Sequence, residues 1–171
     1  MQTRNLRLVQ LSFNDTKALG EGKGIALFEQ REALVHGSNL DDDFSISHNK
    51  QYYEALIKDP KNEKWYLQWQ IIHKEDNKLI GGISFKGGPN EKGEVEIGYG
   101  LDETYRNRGY MTEAIIGLLP WALVQPMVTA VIAETDKNNK ASQKVVEKVG
   151  MQFYYETEKE IWWIIRKDNT G

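Results

Sequence analysis

A strand-like segment, a short basic turn and the start of a helix follow one another between residues 94 and 114. The strand-like segment is Glu94 to Leu101, and residues 105–114 read Y-R-N-R-G-Y-M-T-E-A. At the start of a helix the backbone N–H groups lack intrahelical partners, and the helix dipole adds partial positive charge. Gly109 has no Cβ, so a ligand can come close to the backbone there. The segment therefore predicts an anion site, and a diphosphate is the ligand that suits it.

The same residues resemble motif A of the GNAT superfamily of acyl-CoA-dependent N-acetyltransferases, which reads Q/R-x-x-G-x-G/A. Residues 106–111 read R-N-R-G-Y-M, so Met111 stands where the family usually has a small residue. The longer string I-G-Y-G-L-D-E-T-Y-R-N-R-G-Y-M-T-E-A resembles the Rim-type ribosomal-protein N-terminal acetyltransferases and their relatives. The resemblance continues through Met151.

The resemblance implies a GNAT acyl-CoA N-acyltransferase fold of the α+β (mixed α/β) class. Such a fold has a central, mostly antiparallel and twisted sheet flanked by helices. Its strands four and five splay apart, and the pantetheine arm of the cofactor lies in the gap. The 171 residues are enough for one domain with its own core, so we expect a single domain over 1–171.

Hydrophobic periodicity and turn residues predict the same order of elements without the family. That order is a strand, helices, three strands, a helix, a strand, a helix and two strands. The predicted helices cover 16–19, 25–35, 47–57, the segment after Gly109 and 139–149; the predicted strands begin at Leu6 and cover 65–72, 79–86, 94–101, 128–133, 151–155 and 161–166.

Acetyl-CoA is the donor that the resemblance implies, and its contacts fall on the end of strand four and the basic turn. Backbone amides of the turn would hold the diphosphate, with Arg106 or Arg108 nearby. Leu101 would pair through its backbone with the pantetheine amides. A backbone N–H of Tyr99 or Gly100 would stabilise the oxyanion of the tetrahedral intermediate. The turn residues in question are Asn107, Arg108, Gly109, Tyr110, Met111 and Thr112. A solvated basic loop is the structural alternative.

Glu94 and Glu96 alternate with Val95 and Ile97, as expected for a strand with one wet face. An amine attacks a thioester only when it is unprotonated, so a base must take its proton directly or through water. Some members of the family carry a glutamate on this strand. The two glutamates straddle the matching position, and we predict Glu96 as the catalytic base.

The string Asn139-Lys140-Ala141-Ser142 resembles the N-x-A-S of Rim-type enzymes. Asn139 is a good helix cap, a role compatible with cofactor contact. Many GNAT enzymes place a tyrosine on this helix to protonate the departing CoA thiolate, but the matching position here is Val146. Two alternatives stay open: Ser142 hydrogen-bonds the sulfur, or no acid is needed because a thiol with a pKa near ~8.5 is a tolerable leaving group.

Composition excludes several other chemistries. The net charge of −3 gives no basic surface for nucleic acid. With no cysteine, thiol nucleophiles and zinc–thiolate sites are excluded, and the three histidines are too scattered to suggest a metal site. No signal peptide and no segment of membrane-spanning length is found, so a cytoplasmic location is expected.

These observations predict an enzyme that transfers acetyl directly from acetyl-CoA to a primary amine, without an acyl-enzyme. The amine lies on a protein N-terminus or on a small molecule. No metal, nucleic acid or membrane is expected as a partner, and the protein is expected to be a monomer or homodimer. The alternative from another class is a non-catalytic acyl-CoA-binding sensor.

Overall fold

The computed structural model describes residues 1–37 and 43–168, and two compact units, Met1–Ser84 and Phe85–Gly171, divide the chain. The predicted order of elements is confirmed. The helices are α1 (Phe13–Gly20), α2 (Gly24–Arg31), α3 (Asp43–Lys58), α4 (Glu63–Tyr66), α5 (Tyr110–Leu123) and α6 (Lys140–Val149). The strands are β1 (Leu6–Gln10), β2 (Trp69–His73), β3 (Lys78–Phe85), β4 (Glu94–Leu101), β5 (Ala130–Asp136), β6 (Gln152–Glu156) and β7 (Glu160–Arg166). Short 3-10 turns cover Pro60–Asn62 and Glu103–Tyr105.

The first unit is built on antiparallel pairs of β1 with β2 and of β2 with β3. The register slips at one point: Ile71 faces Gly81 while Ile72 faces Leu79. One residue of β3, Ile80, is therefore extra, which makes a β-bulge next to Gly81. A core cluster joins this sheet to α1 and α2; its buried members are Leu11, Leu19, Ile25, Phe28, Ile72 and Leu79.

Two local predictions in the first unit are wrong. Trp65 and Tyr66 lie in α4, and the strand predicted from Trp65 begins only at Trp69. Trp65 is 2% exposed, so one helical turn buries it as well as a strand would, and short apolar runs do not distinguish the two. The helix predicted to reach Val35 ends at Arg31, since Ala33 adopts φ 54°, a left-handed conformation that no α-helix continues through.

The second unit pairs β4 with β5 in parallel, and β7 with both β5 and β6 in antiparallel. Helix α5 buries one apolar face; its buried residues are Met111, Ala114, Ile115, Leu118, Leu119 and Ala122. Pro120 lies inside α5 without ending it. With antiparallel pairing dominant and one parallel pair, the predicted mixed α/β class is confirmed.

Strands β4 and β5 pair only at their beginnings. The register joins Glu94 to Ala130, Val95 to Val131 and Glu96 to Ile132, although β4 continues to Leu101. Along its other edge β5 pairs with β7 over its full length, from Ala130 to Asp136. Strand β4 is therefore no longer paired with β5 after Glu96, and a gap opens between the two strands, as predicted.

Candidate functional site

The gap between β4 and β5 gives the second unit a place where backbone is not committed to a neighbouring strand. Successive side chains of β4 point to opposite faces of the sheet. Val95 and Ile97 are buried at 0% and 3% exposure, and Tyr99 continues their series. Glu94 and Glu96 belong to the opposite face and are partly exposed. One face of β4 beside the gap therefore carries apolar and aromatic side chains, and the other carries carboxylates.

The basic turn leads from the end of β4 into α5. Two of its residues, Asn107 at φ 61° and Gly109 at φ 80°, adopt left-handed conformations. Gly109 is the N-cap of α5 and, lacking a side chain, leaves the first turn without a capping side chain. Turns of this kind, with backbone N–H groups directed outward at a helix start, form concave anion sites. The whole turn from Arg106 to Gly109 is exposed, so an anion can reach it.

The two arginines of the turn have different surroundings. Arg106 Nε donates a hydrogen bond of 3.0 Å to the backbone oxygen of Leu101. Arg108 places its guanidinium over the ring of Tyr105, 5.9 Å from the ring centroid. Arg106 therefore links the turn to the end of β4. The carbonyl of Leu101, predicted to bind pantetheine, already has one donor, and a second lone pair leaves room for another.

Met111 is the residue that departs from the family motif, and its side chain is buried at 6% exposure. It belongs to the apolar face of α5 and packs in the core. Its bulk is therefore accommodated beneath the turn, away from the exposed backbone. Thr112, the next residue, is partly exposed.

A pair of hydroxyl groups joins β4 to α6. The Tyr99 hydroxyl lies 2.8 Å from Ser142 Oγ and 3.4 Å from the Ser142 carbonyl oxygen. Ser142 lies in the first turn of α6, where its N–H donates to Asn139 Oδ1 at 3.0 Å, so Asn139 is the helix cap, as predicted. Burial raises the pKa of Tyr99, and the hydrogen bond with Ser142 offsets that effect only in part. Val146, at the position where the family carries its tyrosine, is buried at 1% exposure.

On the face of β4 that carries the glutamates, one lysine lies between two carboxylates. Lys86 Nζ lies 2.5 Å from Glu96 Oε1 and 3.2 Å from Glu134 Oε1. Burial alone would lower the pKa of Lys86, but its hydrogen bonds with the two carboxylates and their negative charges outweigh burial and raise that pKa. Glu134 lies two residues beyond Ile132, where pairing with β4 ends. The ammonium of Lys86 thus bridges β4 and β5 where the gap begins.

Glu94 has a different set of contacts. It accepts a hydrogen bond of 2.7 Å from the Tyr154 hydroxyl and one of 3.2 Å from Asn90 Nδ2. The ring of Tyr154 in turn lies under the guanidinium of Arg166, at 5.7 Å. The two glutamates that sequence could not separate therefore differ clearly: Glu94 is held by neutral donors and Glu96 by an ammonium.

The structure joins two pairs of predicted residues, Arg106 with Leu101 at the end of β4 and Tyr99 with Ser142 at the start of α6. Glu96 lies on the face of β4 opposite to Tyr99. Sequence reasoning missed three features: the ammonium of Lys86, the carboxylate of Glu134 and the hydroxyl of Tyr99. Tyr99 was predicted only through its backbone. Its alternation with Val95 and Ile97 was a signal that its side chain faces the helices. No local pattern signalled that Lys86 meets Glu134.

Across residues 1–37 and 43–168, no three or more His, Cys, Asp or Glu side chains cluster in a way that could hold a metal ion. Within the same ranges, no helix combines the length and apolar character needed to cross a membrane.

Comparison with known proteins places these features in a family context. Residues 6–152 match the acetyltransferase (GNAT) domain family. The uncharacterized N-acetyltransferase YjdG of Bacillus subtilis (strain 168) is 31% identical over 113 residues, which cover 66% of this chain and 67% of that protein.

Two solved structures share the fold at low sequence identity. The ribosomal-protein-S5-alanine acetyltransferase of Vibrio fischeri superposes with a TM-score of 0.69 at 18% identity, covering 99% of this chain and 97% of the other. The ribosomal L7/L12 alpha-N-protein acetyltransferase RimL, in complex with coenzyme A, gives 0.65 at 14% identity, covering 96% and 95%. At these identities the likeness supports the fold.

Proposed function

This chain belongs to the GNAT acetyltransferase family, and from that membership we propose that it transfers an acetyl group from acetyl-CoA directly to a primary amine. The amine is that of a protein N-terminus or of a small molecule. The observation that carries the proposal is the gap after Glu96, with the exposed basic turn at the end of the same strand.

The donor site follows from this arrangement. We assign the diphosphate to the backbone amides from Asn107 to Thr112. The pantetheine arm would enter the gap along the free edge of β4, where Leu101 and its neighbours offer backbone groups as an added strand would use them. A relative of the same fold is described in complex with coenzyme A, which is compatible with this placement.

The chemistry requires removal of protons from the amine nitrogen and stabilisation of one negative charge. The amine must lose a proton for attack, and we assign this to Glu96, whose carboxylate lies where the gap begins. Attack on the thioester carbonyl produces an oxyanion, and a backbone N–H of Tyr99 or Gly100 is our candidate donor to it. Gly100 has open space where a Cβ would lie, so a ligand can approach the backbone there.

The proposed base, Glu96, forms an ion pair with Lys86. Its ammonium is a cation already placed between two carboxylates, and an incoming ammonium would meet the same pair. We propose that Lys86 holds the carboxylate of Glu96 in place between turnovers.

The decisive experiment measures thiol release from acetyl-CoA with a panel of amines and peptide N-termini. Turnover with any member supports the transferase, whereas binding of acetyl-CoA without turnover across the panel supports the sensor. A melting measurement tests the donor site separately. At ~100 times Kd, a ligand specific for the folded state stabilises by about 2.7 kcal/mol, or roughly 5 to 10 °C at this size. Acetyl-CoA should give this shift and ATP should not.

A further inference from the structure

We propose that Tyr99 supplies, through Ser142, the proton that the departing CoA sulfur takes up. The inference rests on the proposed acetyl transfer. It assigns the proton donor to a tyrosine on β4, whereas the family usually has its tyrosine on the helix that corresponds to α6. When the carbon–sulfur bond breaks, the Ser142 hydroxyl donates its proton to the thiolate. The Tyr99 hydroxyl donates its own proton to Ser142 Oγ in the same step. Sulfur leaves as a thiol, serine is unchanged, and the negative charge ends on the phenol oxygen of Tyr99.

The geometry favours this direction of transfer. The two hydroxyl oxygens are 2.8 Å apart, the usual separation for an O–H···O hydrogen bond, and either atom can donate. Ser142 is fixed from its other side, because its N–H donates to Asn139. It also lies in the first turn of α6, where the helix dipole stabilises negative charge. Tyr99 and Ser142 are thus held as a unit from two different elements.

The acidities explain why serine alone is not sufficient. An aliphatic alcohol is a much weaker acid than a phenol, so a thiolate cannot take the proton of Ser142 and leave an alkoxide behind. A phenol has a pKa of ~10 against ~8.5 for a thiol, so the transfer is only modestly uphill when Tyr99 is the final donor. Burial raises the pKa of Tyr99 further, which keeps the phenol protonated throughout the neutral range but also makes its proton transfer to the thiolate more uphill.

The protons gained and lost by these groups balance over one turnover. The nitrogen of an ammonium acceptor loses two protons, one before attack and one after the carbon–nitrogen bond has formed. Glu96 takes each in turn and passes the first to water, and Tyr99 loses the proton that sulfur gains. After the products leave, Glu96 returns its proton to water and Tyr99 takes one from water. No oxidant, reductant or further reactant is required.

Position 146 indicates why such a route is needed in this chain. Val146 is apolar and buried, so α6 offers no acid at the place where the family usually has one. The Tyr99 hydroxyl reaches the same helix from β4. The alternative is that the hydrogen bond between Tyr99 and Ser142 only stabilises the packing of β4 against α6, which we call a fastening role. The experiment must distinguish this role from proton donation.

The experiment compares Tyr99→Phe, Ser142→Ala and the double variant with wild type, using the amine that gives turnover. A proton role predicts that Tyr99→Phe lowers kcat by about 10²-fold, in the range for general acids, with little change in KM or Kd for acetyl-CoA. The double variant should be about as slow as the slower single variant, because residues that act as a unit are not additive. Tyr155→Phe, which alters an exposed tyrosine on β6, is the matched control and should retain activity.

The pH profile is the measurement that a fastening role would not change. In wild type, kcat should fall at high pH as Tyr99 ionises, and this limb should disappear in Tyr99→Phe. The proposal is overturned if Tyr99→Phe keeps kcat within about twofold of wild type, or if the high-pH limb persists in the variant. An equal rise in Kd for acetyl-CoA and loss of kcat/KM would also overturn it, in favour of a fastening role. If wild type binds acetyl-CoA but acetylates no amine, the proposed function itself fails.

Discussion

Lys86 Nζ lies 2.5 Å from Glu96 Oε1, so the carboxylate proposed as the catalytic base has an ammonium partner before any acceptor arrives. The same ammonium reaches Glu134 on the neighbouring strand at 3.2 Å. A single side chain therefore connects the base to both edges of the gap.

Replacement of Lys86 by Met should weaken the fold in a pH-dependent way. The folded-state pKa of Lys86 is raised above its unfolded value, so the stability it contributes is fully present below pH ~10.4 and is lost as pH rises through the folded pKa. The side chain is 45% exposed, so the effect is small, no more than about 2 to 4 °C in Tm.

Thermal melts of wild type and Lys86→Met from pH 7 to about 11 check this, since both chains share all other titrating groups. The difference in Tm should be largest below pH ~10 and should narrow only above pH ~10.4. Lys144→Met, an exposed change on α6, serves as the control for loss of one charge. A difference that stays constant with pH would contradict the ion-pair account.

Replacement of Glu96 by Gln should lower kcat/KM by about 10²- to 10⁴-fold, the usual contribution of a general base. Binding of acetyl-CoA should hardly change. The rate of the variant should climb with pH, because free amine then needs no base. Steady-state kinetics over pH 6 to ~10, with calorimetric titration of acetyl-CoA, measure both effects.

Glu94→Gln is the matched control for that experiment, because it changes the same chemistry two residues away on the same face of β4. Its carboxylate is held by Tyr154 and Asn90, so we expect activity within a few-fold of wild type. Should Glu94→Gln be the impaired variant and Glu96→Gln the active one, the assignment of the base to Glu96 is wrong.

Replacement of Gly109 by Val should remove most of the affinity for acetyl-CoA while the protein stays folded. A Cβ at this position would meet no atom within 4 Å, so the fold itself has room for a side chain. The backbone, however, has φ +80°, which a β-branched residue adopts only under strain, and the turn must therefore change shape. Calorimetric titration with acetyl-CoA, alongside circular dichroism, measures both quantities.

The Gly109→Asn variant tests whether binding needs free backbone N–H groups at the start of α5, because it keeps the left-handed backbone conformation. Asparagine tolerates the left-handed conformation and is a good N-cap, so its side chain would accept from the N–H groups that we assign to the diphosphate. We expect a Tm equal to or above that of wild type together with weakened binding. If both Gly109 variants bind acetyl-CoA like wild type, the backbone does not hold the diphosphate.

Replacement of Arg106 by Ala should weaken acetyl-CoA binding less than Gly109→Val does. An exposed charge contributes up to about 1 kcal/mol, or roughly fivefold in Kd, and salt should reduce the effect. Arg108→Ala is the natural comparison, since its guanidinium stacks on Tyr105 and makes no link to Leu101. Arg106→Ala should therefore be the more damaging of the two. Loss of binding in Arg106→Ala but not in Gly109→Val would mean that side-chain charge holds the anion.

The sequence by itself determined the parts of the site that depend on near neighbours. Strand β4 ends at Leu101 and α6 begins after Asn139, as predicted, and Gly150 ends α6 in a left-handed conformation. Helix α5 starts directly after Gly109. These features were predictable because periodicity, caps and left-handed glycines act over a few residues of chain.

Only the tertiary structure decided which side chains meet. Tyr99 and Ser142 are 43 residues apart in the chain, and Lys86 and Glu134 are 48 apart. Their contacts depend on where β4 leaves β5 and on the register of that pair, which no local pattern encodes. Alternation also assigns Glu94 and Glu96 to one face, so the two looked alike in the sequence. The fold separates them, because Glu94 meets Tyr154, 60 residues away in the chain, and Glu96 meets Lys86 across a turn.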